Sequence, residues 1–258
     1  MLTPAVVRVA RPSPAGGAGW AEQMLLAGPT PGLDELACCT VSVAAGRSRH
    51  PAPGDGEQII LVLDGALRMG DATLERGQFA FLPAGMPHTL TAHGAAPASY
   101  VAIAWRDRDP TRRSALAFTR CDASGDGPLG SKSHAWGVRQ RQCDAATRHL
   151  AALRSHVSLM FPGAGYEPHA DPYDVVIVTL DGEVETLGQP VAPRHVVFYP
   201  SGSIHGMRNP GTVPARYVVF ELHSHRITDH LPRPSLAARL TDPRRWARQL
   251  ARLRRSRS

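Results

Sequence analysis

The sequence predicts an all-β fold, two tandem jelly-roll-type β-barrels followed by a short basic C-terminal helix. Three observations predict it. Gly and Pro are plentiful, at 24 and 23 residues, while aromatics make up 6% of the chain. Short apolar runs rich in β-branched residues are closed by Gly/Pro turns. One half of the chain also repeats the other. At 258 residues there is room for two modest cores, and 43% apolar content is that of a globular protein.

The repeat appears when the sequence is displaced by 117 residues. Gly46 then falls on Gly163, Pro51 on Pro168, Ile60 on Ile177, and Leu63-Asp64-Gly65 on Leu180-Asp181-Gly182. Phe81, Pro83, Gly85 and His88 fall on Phe198, Pro200, Gly202 and His205. Gly94, Pro97-Ala98 and Tyr100-Val101 complete fifteen identities over 56 positions without a gap. The shared residues are mostly turn formers, with one His, so the offset reads as an internal duplication. Within each copy, Ile59–Leu63 and Val175–Leu180 are strands closed by Asp-Gly, a hairpin-turn dipeptide. Phe79–Leu82 and Val196–Tyr199 end at Pro-x-Gly, and Tyr100–Trp105 and Tyr217–Leu222 add one strand each. The organisation expected is a first barrel over 1–110, a linker over 111–145, a second barrel over 146–232 and a basic tail over 233–258. In that tail Thr241 or Asp242 caps a helix with Pro243 at its first position and Trp246, Leu250 and Leu253 on one face.

Charge argues against a nucleic-acid protein. Nine of the 29 bases and one of the 22 acids, Asp242, fall after residue 232, leaving 20 bases against 21 acids in the rest. The body is neutral, and nothing basic or aromatic elsewhere continues the tail's patch. Cys38, Cys39, Cys121 and Cys143 form no C-x-x-C pair and read as buried or incidental thiols of a reducing compartment. The first residues carry no signal-peptide pattern, and no apolar run reaches the ~18–20 residues of a membrane span. The expectation is a cytoplasmic protein, a homodimer that binds a small molecule and neither a membrane nor nucleic acid.

The motifs resemble those of the cupin superfamily, in particular its two-barrel members, the bicupins. The second cupin motif, G-x5-P-x-G-x2-H-x3-N, is matched by Gly77, Pro83, Gly85 and His88 in the first copy, with Ala92 in place of the closing Asn. In the second it is matched by Pro200, Gly202, His205 and Asn209, with Arg194 in place of the opening Gly. The first motif, a Gly, H-x-H, a later Glu and a Gly, is read as Gly163, Glu167-Pro-His169, Asp174 and Gly182. In the first copy it is read as Gly46, His50-Pro-Ala52, Glu57 and Gly65. The resemblance covers about 40–105 and 157–223. It implies a metal site inside the second barrel, and a degenerate first barrel in which only His50, Glu57 and His88 remain.

Residues i and i+2 of a strand share a face, so Glu167 and His169 point the same way. Together with Asp174 and His205 they are the expected metal ligands, with Glu167, Asp174 and Tyr173 as candidate catalytic groups. Two imidazoles with one or two carboxylates form a mixed N/O site suited to Mn, Fe(II), Ni or Zn. Asp171, Tyr199, Met207, Arg208, Asn209 and Glu221 are candidates to line the cavity. The layout is similar to ureidoglycine aminohydrolases, also bicupins whose second site opens Glu-x-His. Here, however, Tyr173 stands where that family has a His and His205 where it has a Gln. A metal-dependent isomerase, hydrolase or oxygenase acting on a small carbonyl, sugar or amide is one reading. A non-catalytic module binding a sugar or other small molecule, or a regulatory cupin, is the alternative.

Overall fold

A computed structural model describes residues 1–14, 19–51, 54–107, 117, 119–123 and 131–228. The strands of the first part are β1 (Ala5–Arg8), β2 (Trp20–Gly28), β3 (Glu35–Val43), β4 (Ser48–Arg49) and β5 (Glu57–Asp64). They continue with β6 (Ala66–Met69), β7 (Ala72–Glu75), β8 (Gln78–Leu82), β9 (Leu90–Ala92) and β10 (Ala98–Arg106). Next come β11 (Thr119–Asp122), β12 (Ser131–His134), β13 (Gly137–Ala145), β14 (Ala152–Met160) and β15 (Gly165–Ala170). The last are β16 (Asp174–Asp181), β17 (Val184–Thr186), β18 (Gln189–Val191), β19 (His195–Tyr199), β20 (Ile204–Arg208) and β21 (Ala215–His223), followed by the short helix α1 (His225–Thr228).

Each half pairs one large sheet with one small one. The first has β11-β8-β5-β10-β3-β2 against β4-β9-β6-β7; the second has β1-β19-β16-β21-β14-β13-β12 against β15-β20-β17-β18. The strands expected at 59–63, 79–82, 100–105, 175–180, 196–199 and 217–222 are all present. Gly65 and Gly182 of the Asp-Gly turns have φ of 66° and 68°. A Cβ there would sit 2.6 Å from the Pro97 carbonyl oxygen or 2.5 Å from that of Pro214, so both positions require glycine.

The halves interlock more closely than a barrel–linker–barrel chain would. β1 pairs with β19 in the second barrel's sheet, Ala5 opposite Phe198. β11 pairs with β8 in the first barrel's sheet, Thr119 opposite Phe81. The stretch read as a linker over 111–145 therefore holds strands of both sheets, and residues 1–110 include a strand of the second barrel. The Arg-rich tail with its expected helix lies outside the described residues. Among the described residues no helix is long and apolar enough to cross a membrane.

Side-chain alternation explains why the central strands are apolar without a break. In β5, Ile60 and Val62 fill the first barrel's interior, while Ile59, Leu61 and Leu63 face the other barrel. In β16, Val175 and Ile177 face inward and Val176, Val178 and Leu180 face the first barrel. The inter-barrel layer is sealed by Phe79 and Phe220, edge to face with centroids 5.1 Å apart.

At the margin of this layer two contacts mirror each other. The Thr30 hydroxyl donates to Asp174 Oδ2 across the barrels, and the Thr147 hydroxyl, 117 residues later, donates to Glu57 Oε2. Each Thr oxygen also accepts a backbone N–H three residues on, from Leu33 (3.0 Å) or Leu150 (3.1 Å). Glu57 and Asp174 are fully buried, so each depends on these donors. Thr30→Val and Thr147→Val are each expected to lower unfolding free energy by about 1–3 kcal/mol. Urea denaturation measures this; an unchanged midpoint in both variants would show that the contacts carry no stability.

Candidate metal centre in the second barrel

The wall of the second cavity begins with an irregularity. β15 pairs with β20 as Gly165↔Arg208 and Tyr166↔Met207, then resumes as His169↔His205 and Ala170↔Ile204. Glu167 and Pro168 thus share one place opposite Gly206, a β-bulge. Pro168 has no N–H for the ladder. A Cβ on Gly206 would come within 3.2 Å of Pro168 N and the Tyr166 carbonyl oxygen, so the bulge and that glycine fit together. The extra residue reverses parity. Tyr166 points inward, and after the bulge His169, Asp171, Tyr173, Val175 and Ile177 line a cavity of about 280 Å³.

Within it His169, Asp171 and His205 each offer a ligand atom, all within 4.8 Å of one another. Asp171 Oδ2 lies 3.6 Å from His169 Nε2 and 3.5 Å from His205 Nε2. The Nδ1 of His169 meets the Glu167 carbonyl at 3.1 Å and that of His205 meets the Ser203 carbonyl at 3.0 Å. A carbonyl only accepts, so in each ring Nδ1 carries a proton toward the backbone and Nε2 is the atom turned toward Asp171. His205 is held by Tyr199, stacked at 4.0 Å. Burial alone would raise the Asp171 carboxyl. A hydrogen bond from His205, the charges of His169 and His205 and a hydrogen bond from Tyr173 outweigh burial and hold it below the usual range.

A second polar cluster stands beside the first. Glu221 accepts from Arg139 at 2.5 Å and lies 3.4 Å from His156 and 3.2 Å from His223. Tyr173 lies against His223, the ring centroids 4.0 Å apart and the planes tilted by 36°. Its hydroxyl is pushed above its usual value by burial and then by Glu221 and Asp171, so it remains a proton-bearing donor. His156 is pushed down to about 3, by burial first and by Arg139 next, whose Nη2 donates to its Nδ1 at 2.9 Å.

Solved structures were compared with this architecture. A protein from Pseudomonas aeruginosa named as glyoxylate-induced superposes with a TM-score of 0.65 at 15% identity, covering 81% of this chain and 82% of its own. Protein Ylba from E. coli gives 0.61 at 15%, covering 85% and 90%. A cupin 2 conserved barrel domain protein from Leptotrichia buccalis gives 0.55 at 14%, covering 81% and 92%. The chain has the cupin fold. No family model matches the sequence and no curated protein matches it.

Within this fold the expected ligands divide. His169 and His205 are brought together; Glu167 and Asp174 are not part of the cluster. The bulge leaves Glu167 exposed, with its backbone carbonyl supporting His169. Asp174 has the parity of Val176, turns toward the other barrel and accepts from Thr30 and, at 2.8 Å, from Ser201 N. Burial raises its carboxyl, against the lowering effect of those two bonds. Asp171 stands in the cluster in their stead. Of the other candidates, Tyr173 and Glu221 line the cavity. Met207 is core, Arg208 pairs with Glu185 at 2.7 Å, and Asn209 ties loop carbonyls of Met160 and Val213. Arg139 and His156 were not foreseen. Arg139 lies in the stretch read as linker because β13, facing a polar cavity, lacks the apolar alternation that marks a strand.

The first barrel does not gather its three candidates. His50 bonds Thr89 at 2.9 Å, His88 Nε2 meets the Gln58 amide nitrogen at 3.3 Å, and Glu57 is enclosed by Trp105, Thr147 and the backbone of Arg148 and His149.

His156 also sets a pH dependence. Its folded value near 3 lies below the 6.5 of the free ring. Between these pH values the unfolded chain takes up a proton that the folded one refuses, so this group makes stability fall as pH falls below 6.5. In His156→Gln the slope between pH 6 and 4 should flatten by about 1.4 kcal/mol per pH unit, one proton's worth. Urea titrations at several pH values measure it; parallel curves for variant and parent would rule the effect out.

Proposed function

We propose that the second barrel is a metal-dependent catalytic site acting on a small oxygen-rich metabolite, with the ion held by His169, Asp171 and His205. The single observation that carries this reading is the convergence of two imidazole Nε2 atoms and one carboxylate, with both Nδ1 atoms already engaged by backbone carbonyls. That is how metal-bound imidazoles are oriented. Two nitrogens and one oxygen suit Mn, Fe(II), Ni or Zn, and three protein ligands leave positions open for water or substrate. Such an ion, when bound, polarises a carbonyl or carboxyl oxygen and acidifies water.

The chain's own residues supply the rest. Tyr173, protonated and hydrogen-bonded to Asp171, is placed to donate to a substrate oxygen. Arg139 and Glu221 form a fixed pair that orients polar groups at the cavity mouth. Val175, Ile177 and Val219 give an apolar floor that limits water. The cavity is at the small end for ligand sites, which favours a compact metabolite over a polymer. The same strand order in both halves supports reading the 117-residue offset as duplication, with metal chemistry kept in one copy.

The experiment is metal analysis of protein purified without chelators. About one Mn, Fe, Ni or Zn per chain is expected, falling at least tenfold in His169→Ala, Asp171→Ala and His205→Ala. Asp174→Asn and Glu167→Gln should keep the metal, the former at lower stability. A metal-free parent would turn the reading to a non-catalytic binding module. Loss of metal in Glu167→Gln with retention in Asp171→Ala would overturn the ligand set.

A further inference from the structure

The metal-side cavity does not end at Arg139 and His156. A second cavity of about 600 Å³ shares Arg139, His156, Tyr173 and Glu221 with the first and continues outward past Arg141, Cys143 and Arg154. The geometry follows from strand parity. Ser158, His156 and Arg154 lie on one face of β14, so each step outward is two residues, about 7 Å. Beside it β13 carries Arg139, then Arg141. The inner face of the large sheet thus carries Arg139 and His156 beside the candidate metal ligands and Arg141 and Arg154 beyond them.

Charge along this path is set by few groups. Arg139 pairs with Glu221. Arg141 Nη1 and Arg154 Nε share Asp144, at 2.5 and 3.0 Å. One carboxylate cannot occupy the donors of two guanidiniums, each of which has five N–H groups, so this outer pair keeps a net positive charge and free hydrogen-bonding capacity. Taken with Asp171, three carboxylates face three guanidiniums. Metal ligation requires neutral imidazoles, and His156 is neutral through its depressed basicity. A bound divalent ion would therefore leave a charge of two uncompensated over the joined cavities.

We propose that the substrate of the second barrel is an extended dianion, with one carboxylate or carbonyl-carboxylate end at the metal and a second anionic group on Arg141 and Arg154. The inference rests on the metal reading above and adds the substrate class. A compact monoanion would fill the inner cavity and leave the outer guanidiniums with Asp144 alone between them. A longer anion extends through the joined cavities toward them.

The test uses full-length protein loaded with Mn(II) and the straight-chain dicarboxylates from malonate to adipate, each against the monocarboxylate of equal chain length. Isothermal titration measures affinity. The tightest dicarboxylate should bind at least tenfold better than its matched monocarboxylate. The advantage should fall below threefold in Arg141→Gln/Arg154→Gln, with Mn content and monocarboxylate affinity unchanged. Equal affinity of the two series for the parent protein overturns the dianion groove, and this comparison needs no variant to fold. A parent that takes up no metal fails earlier, at the metal reading, and removes the dianion with it. Retention of the advantage in the folded double variant would likewise refute the role of these arginines.

Discussion

Side-chain parity along residues 165–181 governs both the architecture and the chemistry of the second half. β16 is buried on both faces, one toward its own barrel and one toward the other, so every residue from Asp174 onward is committed to one of two environments. The odd-numbered series Tyr173, Val175 and Ile177 enters the cavity, whereas the even-numbered series Asp174, Val176 and Val178 enters the inter-barrel layer. The bulge at Glu167-Pro168 brings the preceding strand into phase with that choice. Without the extra residue the phase set by Tyr166 would continue, turning Pro168 inward and placing His169 opposite Ile204 instead of His205.

The even-numbered face explains why a buried acid sits where no ligand is needed. Asp174 opens the layer in which Val176 and Phe220 meet Phe79 and Ile59, and its carboxyl is satisfied by Thr30 from the other half. Glu57 occupies the matching place and is satisfied by Thr147. Burial without these donors would cost each acid heavily. A buried carboxyl that takes one of its donors from the other half also disfavours other placements of the two barrels, a use of polar groups for specificity rather than for net stability. The pairing of β1 with β19 acts in the same direction, since the second large sheet is completed by a strand from before the first barrel.

Much of this was legible in the sequence. The Asp-Gly and Pro-x-Gly turns located strands because they encode local backbone geometry, which a sequence states directly. The unbroken apolar runs at 59–63 and 175–180 located strands, which the fold buries on both faces. What failed was phase. Counting i and i+2 from Glu167 to His169 is sound for a regular strand, but Pro168 lies between them, and a proline in a strand announces a bulge. Applying that rule would have separated Glu167 from His169; Asp174 is set apart by a different cause, its place on the face of β16 that meets the other barrel. The missed Arg139 has another cause. β13 meets a polar cavity, so its pattern does not distinguish it from a polar linker, and its role follows only from pairing with β14.

The first barrel shows how the same framework holds different chemistry. A cavity persists there, lined in part by Glu22, Cys39, Arg49, Gln58 and Ala104. These are the positions 117 residues before Arg139, His156, Tyr166, Val175 and Glu221. Arg49 is tied to Glu22 and to the Tyr100 hydroxyl, so the ion pair that brackets the mouth of the second cavity is reversed in direction and moved to another wall. His88 keeps the carbonyl contact at Nδ1 seen in His205, to Met86 at 3.1 Å, but its Nε2 meets an amide where His205 meets a carboxylate. Orientation of the ring is thus a property of the turn, retained in both halves, whereas an acidic partner depends on one side chain at the phase set by the bulge. Metal chemistry in such a fold needs both, which is why a conserved-looking histidine after Pro-x-Gly marks a barrel but does not by itself mark a centre.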